Sequence, residues 1–149
     1  MAVCAEAGQP VVKETQLEFR ITLADMSAFR RLSGDTNPLH DDAAFARRCG
    51  FDDVVVYGGL IVAQVSRLLG TLIPGPGCVW RSLTFKFRNP LYVGVRARLR
   101  ASVVYSNGTF RLVRLKLRVE AANVLIAEGE AEAQLAAAAS ERSAVHAIQ

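Results

Sequence analysis

The sequence predicts an α+β domain in which an antiparallel sheet wraps one long, buried central helix. Three observations carry that expectation. The stretch "GGLIVAQVSRLLGTLIPGPG", beginning at Gly58, is apolar almost all round, and a helix of that kind is buried. After Gly77 the apolar period changes from helical to two, the period of strands. The alternating segments are one-sided, as antiparallel strands with one wet face permit. With 149 residues, 51% of them hydrophobic and 21% charged, the chain has the length of one domain and an ordinary folded composition.

Taken in order, residues 1–14 read as a loose leader, and the domain is expected over residues 15–135. "QLEFRITL" (Gln16–Leu23) alternates as a first strand. Thr22 and Asp25 form a T-x-x-D capping box for a helix carrying Met26, Phe29 and Leu32 at helical spacing and ending at Gly34. A short second helix is expected over Asp42–Cys49, stopped by Gly50. The central helix follows and is broken by Pro74, Gly75, Pro76 and Gly77. An antiparallel meander of about four strands comes next. Its inward residues are Leu83, Phe85 and Phe87, then Val95 to Tyr105 at every second position. Val113, Leu115, Leu117 and Val119 follow, and in Asn123–Gln134 the inward set runs from Leu125 to Ala133. "SNGT" (Ser106–Thr109) reads as an Asn-Gly hairpin turn. Residues 136–149 read as a frayed tail.

Composition narrows the function classes. Three cysteines, Cys4, Cys49 and Cys78, give an odd count without CxxC spacing, against a disulfide framework or zinc cluster. Both Cys49 and Cys78 read as core or incidental. The N-terminus lacks the pattern of a signal peptide, and the longest apolar stretch is too short and too polar to span a bilayer, so a cytoplasmic protein without membrane association is expected. The net charge is +4. Arginines and lysines line the outward faces of the strands, as a solvated face or as a dock for phosphates or an acidic carrier protein. No aromatic interleaves with them, which disfavours single-stranded nucleic acid as a partner. There is no P-loop, no GxGxxG after a strand and no GxSxG elbow.

The informative segment is "SGDTNPLHDD", Ser33–Asp42. His40 is one of two histidines in the chain. Pro38 fixes its own φ and pushes Asn37 to an extended conformation, so the loop is stiff. Asp35 and His40 leave from its two ends and are placed to converge on a shared water. A neutral imidazole is a competent base near pH 7, and a carboxyl beside it can hold a water or pass a proton. One usable histidine is too few for a zinc site, and no metal site is expected.

The run "FRRLSGDTNPLHDDAAFARRCGF", the glycine pair at 58–59, the Ile73–Gly75 exit and "SLTFKFRNPLYVG" resemble the MaoC-like (R)-specific enoyl-CoA hydratases, a branch of the hot-dog superfamily. The likeness covers residues 16–134. It implies a catalytic pair in Asp35 and His40, with Asn37 as loop scaffold. It also implies that the backbone amide of Gly58 polarises the thioester carbonyl, and that Ser66 is a small polar residue near the catalytic aspartate. Two positions depart from the pattern. Tyr57 stands where many members carry a histidine, and Gly59 stands where larger residues are common.

The implied reaction is reversible hydration of trans-2-enoyl thioesters to (R)-3-hydroxyacyl thioesters. The substrate partner is then an acyl-CoA or acyl-carrier-protein thioester. Dehydration of a 3-hydroxyacyl carrier protein, a hot-dog thioesterase and a non-catalytic acyl-thioester binder are the alternatives. An amide at a helix N-terminus stabilises charge on the carbonyl oxygen, and His40 and Asp35 divide the base and acid roles around one water, with His40 the expected base and Asp35 the alternative. This chemistry calls for no cofactor. Leu69 and Gly70, with Ser66 and Ile73, fall at helical spacing on a face that would line an acyl pocket or belong to the core. An open sheet edge and the resemblance both point to a homodimer.

Overall fold

The computed structural model describes residues 13–107 and 111–136. Five strands, β1 (Glu14–Arg20), β2 (Cys78–Phe87), β3 (Arg96–Ser106), β4 (Leu112–Ala121) and β5 (Val124–Leu135), form one sheet. Helices α1 (Leu23–Ser33), α2 (Ala43–Arg48) and α3 (Gly58–Thr71) lie between β1 and β2, with a 3-10 turn at Pro38–His40. Every strand pair is antiparallel. The fold is the α+β arrangement expected, a curved sheet packed on a central helix.

The strand order is β1-β3-β4-β5-β2. Only β3, β4 and β5 form a meander, in place of the four consecutive strands expected. β2 lies at the edge against β5, and the segment after it crosses to the far side before β3 begins. Alternation shows which face of a strand is buried but not which strand lies beside it. Pro90 lacks an amide proton and breaks the ladder there. The crossing segment is anchored where Val56 donates to the Leu91 carbonyl (2.8 Å) and Gly94 to the Ile21 carbonyl (2.8 Å).

The first strand stops at Arg20, short of the expected Leu23, because Thr22 caps α1. Its hydroxyl accepts from the Asp25 amide at 3.2 Å, while Asp25 accepts from the Thr22 amide at 2.8 Å. The bond from the Thr22 hydroxyl also holds the Asp25 carboxyl below its ordinary pKa. Gly34 closes the helix in the left-handed conformation, φ 72°, which costs glycine little.

The core lies between α3 and the inner face of the sheet. Ile61, Val65, Leu68 and Leu69 of α3 are buried together with Leu99, Leu115 and Val119 of the sheet. β5 supplies Ala127, Ala131 and Ala133, small residues that let helix and sheet approach. Gly129 instead lets β5 and its neighbour β2 come close, since a Cβ there would lie 1.9 Å from the Thr84 carbonyl oxygen. Burial of α3 is one-sided. Gly59, Ala63, Ser66, Arg67 and Gly70 are exposed. Their side chains are mostly too small to register as a polar face in the sequence, which is why the helix reads as apolar all round.

The outer face of the sheet is charged, and its arginine rows are matched by glutamates. Arg98 bonds Glu18 (3.1 Å), Arg114 bonds Glu132 (3.1 Å), and Arg118 bonds Glu120 (2.7 Å). Such exposed pairs contribute little stability each, and they offset part of the positive charge on a wet face. A register shift between Val103 and Tyr105 turns Tyr105 outward, where it is 48% exposed, against the inward position expected. The "SNGT" turn lies partly outside the described residues; Asn107 accepts from the Leu112 amide (2.7 Å) at the hairpin's mouth. Cys78 is half-buried, and burial pushes its thiol pKa up, away from reactivity. Cys49 is exposed. Cys4, the leader before Lys13 and the tail beyond Ala136 lie outside the described residues. No described helix is long and apolar enough to cross a membrane.

Candidate active site

The loop from Gly34 to Asp42 is stiff for local reasons. The Ser33 hydroxyl accepts from the Asp35 amide (3.1 Å), and the Asp35 carboxylate accepts from the Asn37 amide (3.0 Å). The Asn37 side chain accepts from the Leu39 amide (3.1 Å) and caps the 3-10 turn that ends at His40. Asn37 is extended, φ −57° and ψ 120°, as the proline after it requires. An ion pair between Arg30 and Asp41 ties the loop's far end to α1.

His40 is half-buried, and its Nδ1 lies 2.5 Å from the Val55 carbonyl oxygen. A carbonyl only accepts, so Nδ1 carries the proton in this contact. In the neutral ring, Nε2 then holds a free lone pair and is the basic nitrogen. The Leu39 carbonyl accepts from the Val55 amide (2.9 Å), closing the other side of the same tie.

Gly58 is the first residue of α3, so its amide has no acceptor within the helix. It and His40 line one cavity of about 390 Å³, with Phe51, Val55, Ile61, Phe87 and Leu91 among its walls. The Phe87 ring covers Gly58; a Cβ at position 58 would sit 3.0 Å from the ring's Cζ. Phe87, read from alternation as a core-facing residue, is 51% exposed and forms part of this wall instead. Strand alternation reports sidedness and cannot show that the end of β2 meets the start of α3.

The structure thus brings His40 and Gly58 together. Asp35 is exposed at the opposite end of the loop and is not among the cavity's walls, and among the described residues no hydrogen bond joins its carboxylate to the imidazole. Ser66 and Gly70 lie on the exposed side of α3, and a Cβ at Gly70 would meet nothing within 4 Å. Leu69 is buried in the core at 1% exposure. Ser66, Leu69 and Gly70 therefore do not share a face, and none of them lines the cavity holding His40. Helical spacing placed them near one another, but the sheet takes up one flank of that arc and leaves the other open.

Sequence reasoning treated Tyr57 only as a departure from a pattern. In the structure it is 2% exposed, its ring stacks on His40 at 3.9 Å, and its hydroxyl donates to the Asp35 backbone carbonyl at 2.9 Å. Its place before the helix was visible in the sequence; its contacts with the loop, which depend on tertiary packing, were not.

An antiparallel sheet packed on a central helix, with an Asp-x-Asn-Pro-x-His loop beside the helix N-terminus, defines a hot-dog domain of the hydratase type. The MaoC like domain family model matches residues 5–125, and the chain belongs to that family. It is 31% identical over 115 residues to a 3-hydroxybutyryl-CoA dehydratase of Methylorubrum extorquens, covering 77% of this chain and 73% of the relative. It is 30% identical to an (R)-specific enoyl-CoA hydratase of Rhodospirillum rubrum, covering 80% and 85%. Among solved structures, the (R)-hydratase from A. caviae superposes with a TM-score of 0.79 at 30% identity, covering 87% of this chain and 99% of that one.

Proposed function

We propose that this chain catalyses the reversible addition of water to a trans-2-enoyl thioester, giving the (R)-3-hydroxyacyl thioester. One observation carries the reading: His40, its Nδ1 anchored by the Val55 carbonyl, shares a cavity with the free amide of Gly58. The thioester carbonyl oxygen sits at that amide, where the helix dipole favours negative charge. Charge moved onto that oxygen makes the β-carbon electrophilic. His40 Nε2 takes a proton from water as its oxygen bonds to the β-carbon. Asp35, exposed outside the cavity, is the group assigned to the second proton: in its protonated form it passes that proton to the α-carbon through a bridging water, and the proton taken by His40 then returns to it by the same route. The apolar walls formed by Phe51, Ile61 and Leu91 suit the first carbons of the acyl chain. The relatives named as (R)-specific enoyl-CoA hydratase and 3-hydroxybutyryl-CoA dehydratase support the stereochemistry and favour CoA as carrier.

Crotonyl-CoA tests this reading. Loss of enoyl absorbance without release of free thiol supports it; thiol release makes the protein a thioesterase, and no change in either makes it a binder.

The working form is proposed to be a homodimer. β2 is an edge strand whose side away from β5 has no neighbouring strand among the described residues, and it exposes Val79 and Phe87. Such an edge pairs readily with another strand. Light scattering should give twice the chain mass at working concentration; a monomer there contradicts the proposal.

A further inference from the structure

We infer that Tyr57 is a positioning residue for the Asp35–His40 pair, an inference that rests on the hydration reading above. Its side chain touches both members through different groups. The ring stacks on His40 with centroids 3.9 Å apart and planes 30° apart. The hydroxyl donates to the Asp35 carbonyl at 2.9 Å. The other bonds at Asp35, from its amide to the Ser33 hydroxyl and from the Asn37 amide to its carboxylate, stay within the loop, whereas this one ties it to the start of α3.

Behind Tyr57 lies Phe29 of α1, with ring centroids 4.9 Å apart and planes tilted by 45°. Phe29 reaches that place because residue 59 is glycine. A Cβ there would lie 2.3 Å from the Phe29 ring's Cζ. The two positions that depart from the family pattern, Tyr57 and Gly59, therefore form one device. Glycine admits the Phe29 ring, Phe29 braces Tyr57, and Tyr57 backs the imidazole. Val55 fixes His40 at Nδ1, but a single hydrogen bond leaves the ring plane free to rock about it. The stack removes that freedom and holds Nε2 toward the cavity. The hydroxyl bond fixes the Asp35 backbone, and with it the direction in which the carboxylate leaves the loop.

The test uses the full chain with Tyr57→Phe and Tyr57→Leu. Tyr57→Phe keeps the stack and loses the hydroxyl bond. It should lower kcat on crotonyl-CoA by about 10-fold, because a small misplacement of a catalytic group is costly. KM should stay within about 2-fold, and Tm should fall by less than about 8 °C. Tyr57→Leu loses both contacts and should lower kcat by about 10²-fold. The second readout is the His40 ring-proton resonance, assigned by its absence in His40→Ala. Stacking on an aromatic face displaces it upfield; the displacement should persist in Tyr57→Phe and vanish in Tyr57→Leu.

Wild-type kcat in Tyr57→Phe, a loss of activity matched by loss of folded protein, or an unchanged His40 resonance in Tyr57→Leu overturns the inference. An active wild type with any of these results leaves the hydration reading standing. A wild type that hydrates no enoyl-CoA defeats the hydration reading and, with it, the positioning role of Tyr57, whereas the resonance still reports whether the stack exists.

Discussion

Replacing His40 with alanine, or Asp35 with asparagine, should lower turnover of an enoyl thioester by about 10²-fold or more, with the fold retained. The two variants are informative because the structure says what each leaves intact. In Asp35→Asn the side-chain oxygen still accepts from the Asn37 amide, the bond that shapes the loop in the native chain at 3.0 Å. Loop geometry survives, and only the capacity to hold and donate a proton is lost. In His40→Ala the imidazole leaves the Val55 carbonyl, which lines the cavity, and the buried Tyr57 face. The 3-10 turn keeps its Asn37 cap and Pro38, so its backbone has no reason to unwind. Full activity in both variants, measured on crotonyl-CoA with circular dichroism to verify folding, removes the pair from the chemistry.

Gly58→Pro should have an effect of similar size by a different route. The amide proposed to stabilise the thioester oxygen belongs to the backbone, so ordinary side-chain substitutions leave it in place. Proline deletes it. The first position of a helix tolerates proline, because its amide has no helical acceptor to lose. Tyr57, the preceding residue, is already extended at φ −56° and ψ 128°, as a following proline demands. Loss of one such donor typically costs about 10²–10³ in kcat. Gly58→Ala is the control. Its Cβ meets the same half-exposed Phe87 ring, 3.0 Å away, but the amide remains. Proline far below alanine in kcat, at similar Tm, assigns the loss to the amide; equal rates for the two variants remove Gly58 from the oxyanion role.

Local signals were legible in the sequence wherever the physics is local. The Thr22–Asp25 capping box, the Gly34 stop and the Asn37-Pro38 stiffening depend on neighbours within a few residues, and each stands in the structure as expected. The buried rows of β4, Val113 to Val119, follow from period two alone. What failed to show was pairing between distant segments. Nothing near Cys78–Phe87 says that its partner is β5, so the meander was drawn one strand too long. The glutamates that pair with Arg98 and Arg114, Glu18 and Glu132, lie on other strands, so those pairs are not legible in the sequence either. The same limit governed the site. His40 and Gly58 were found by motif, but the Phe87 wall and the Tyr57 brace arise only when the ends of separate elements meet. Leu69 and Gly70 erred the opposite way, since helical spacing brought together residues that the sheet then separated into core and surface.

The central claim is that water adds to the β-carbon and leaves the thioester whole. Reaction of crotonyl-CoA with the full chain in ¹⁸O-labelled water, followed by mass spectrometry, reads this directly. The account predicts intact 3-hydroxybutyryl-CoA carrying one ¹⁸O on the β-hydroxyl, with that label accumulating about 10²-fold more slowly when His40 is replaced by alanine. Label in the carboxylate of free crotonate, with CoA thiol released, or crotonyl-CoA recovered unlabelled, would contradict it.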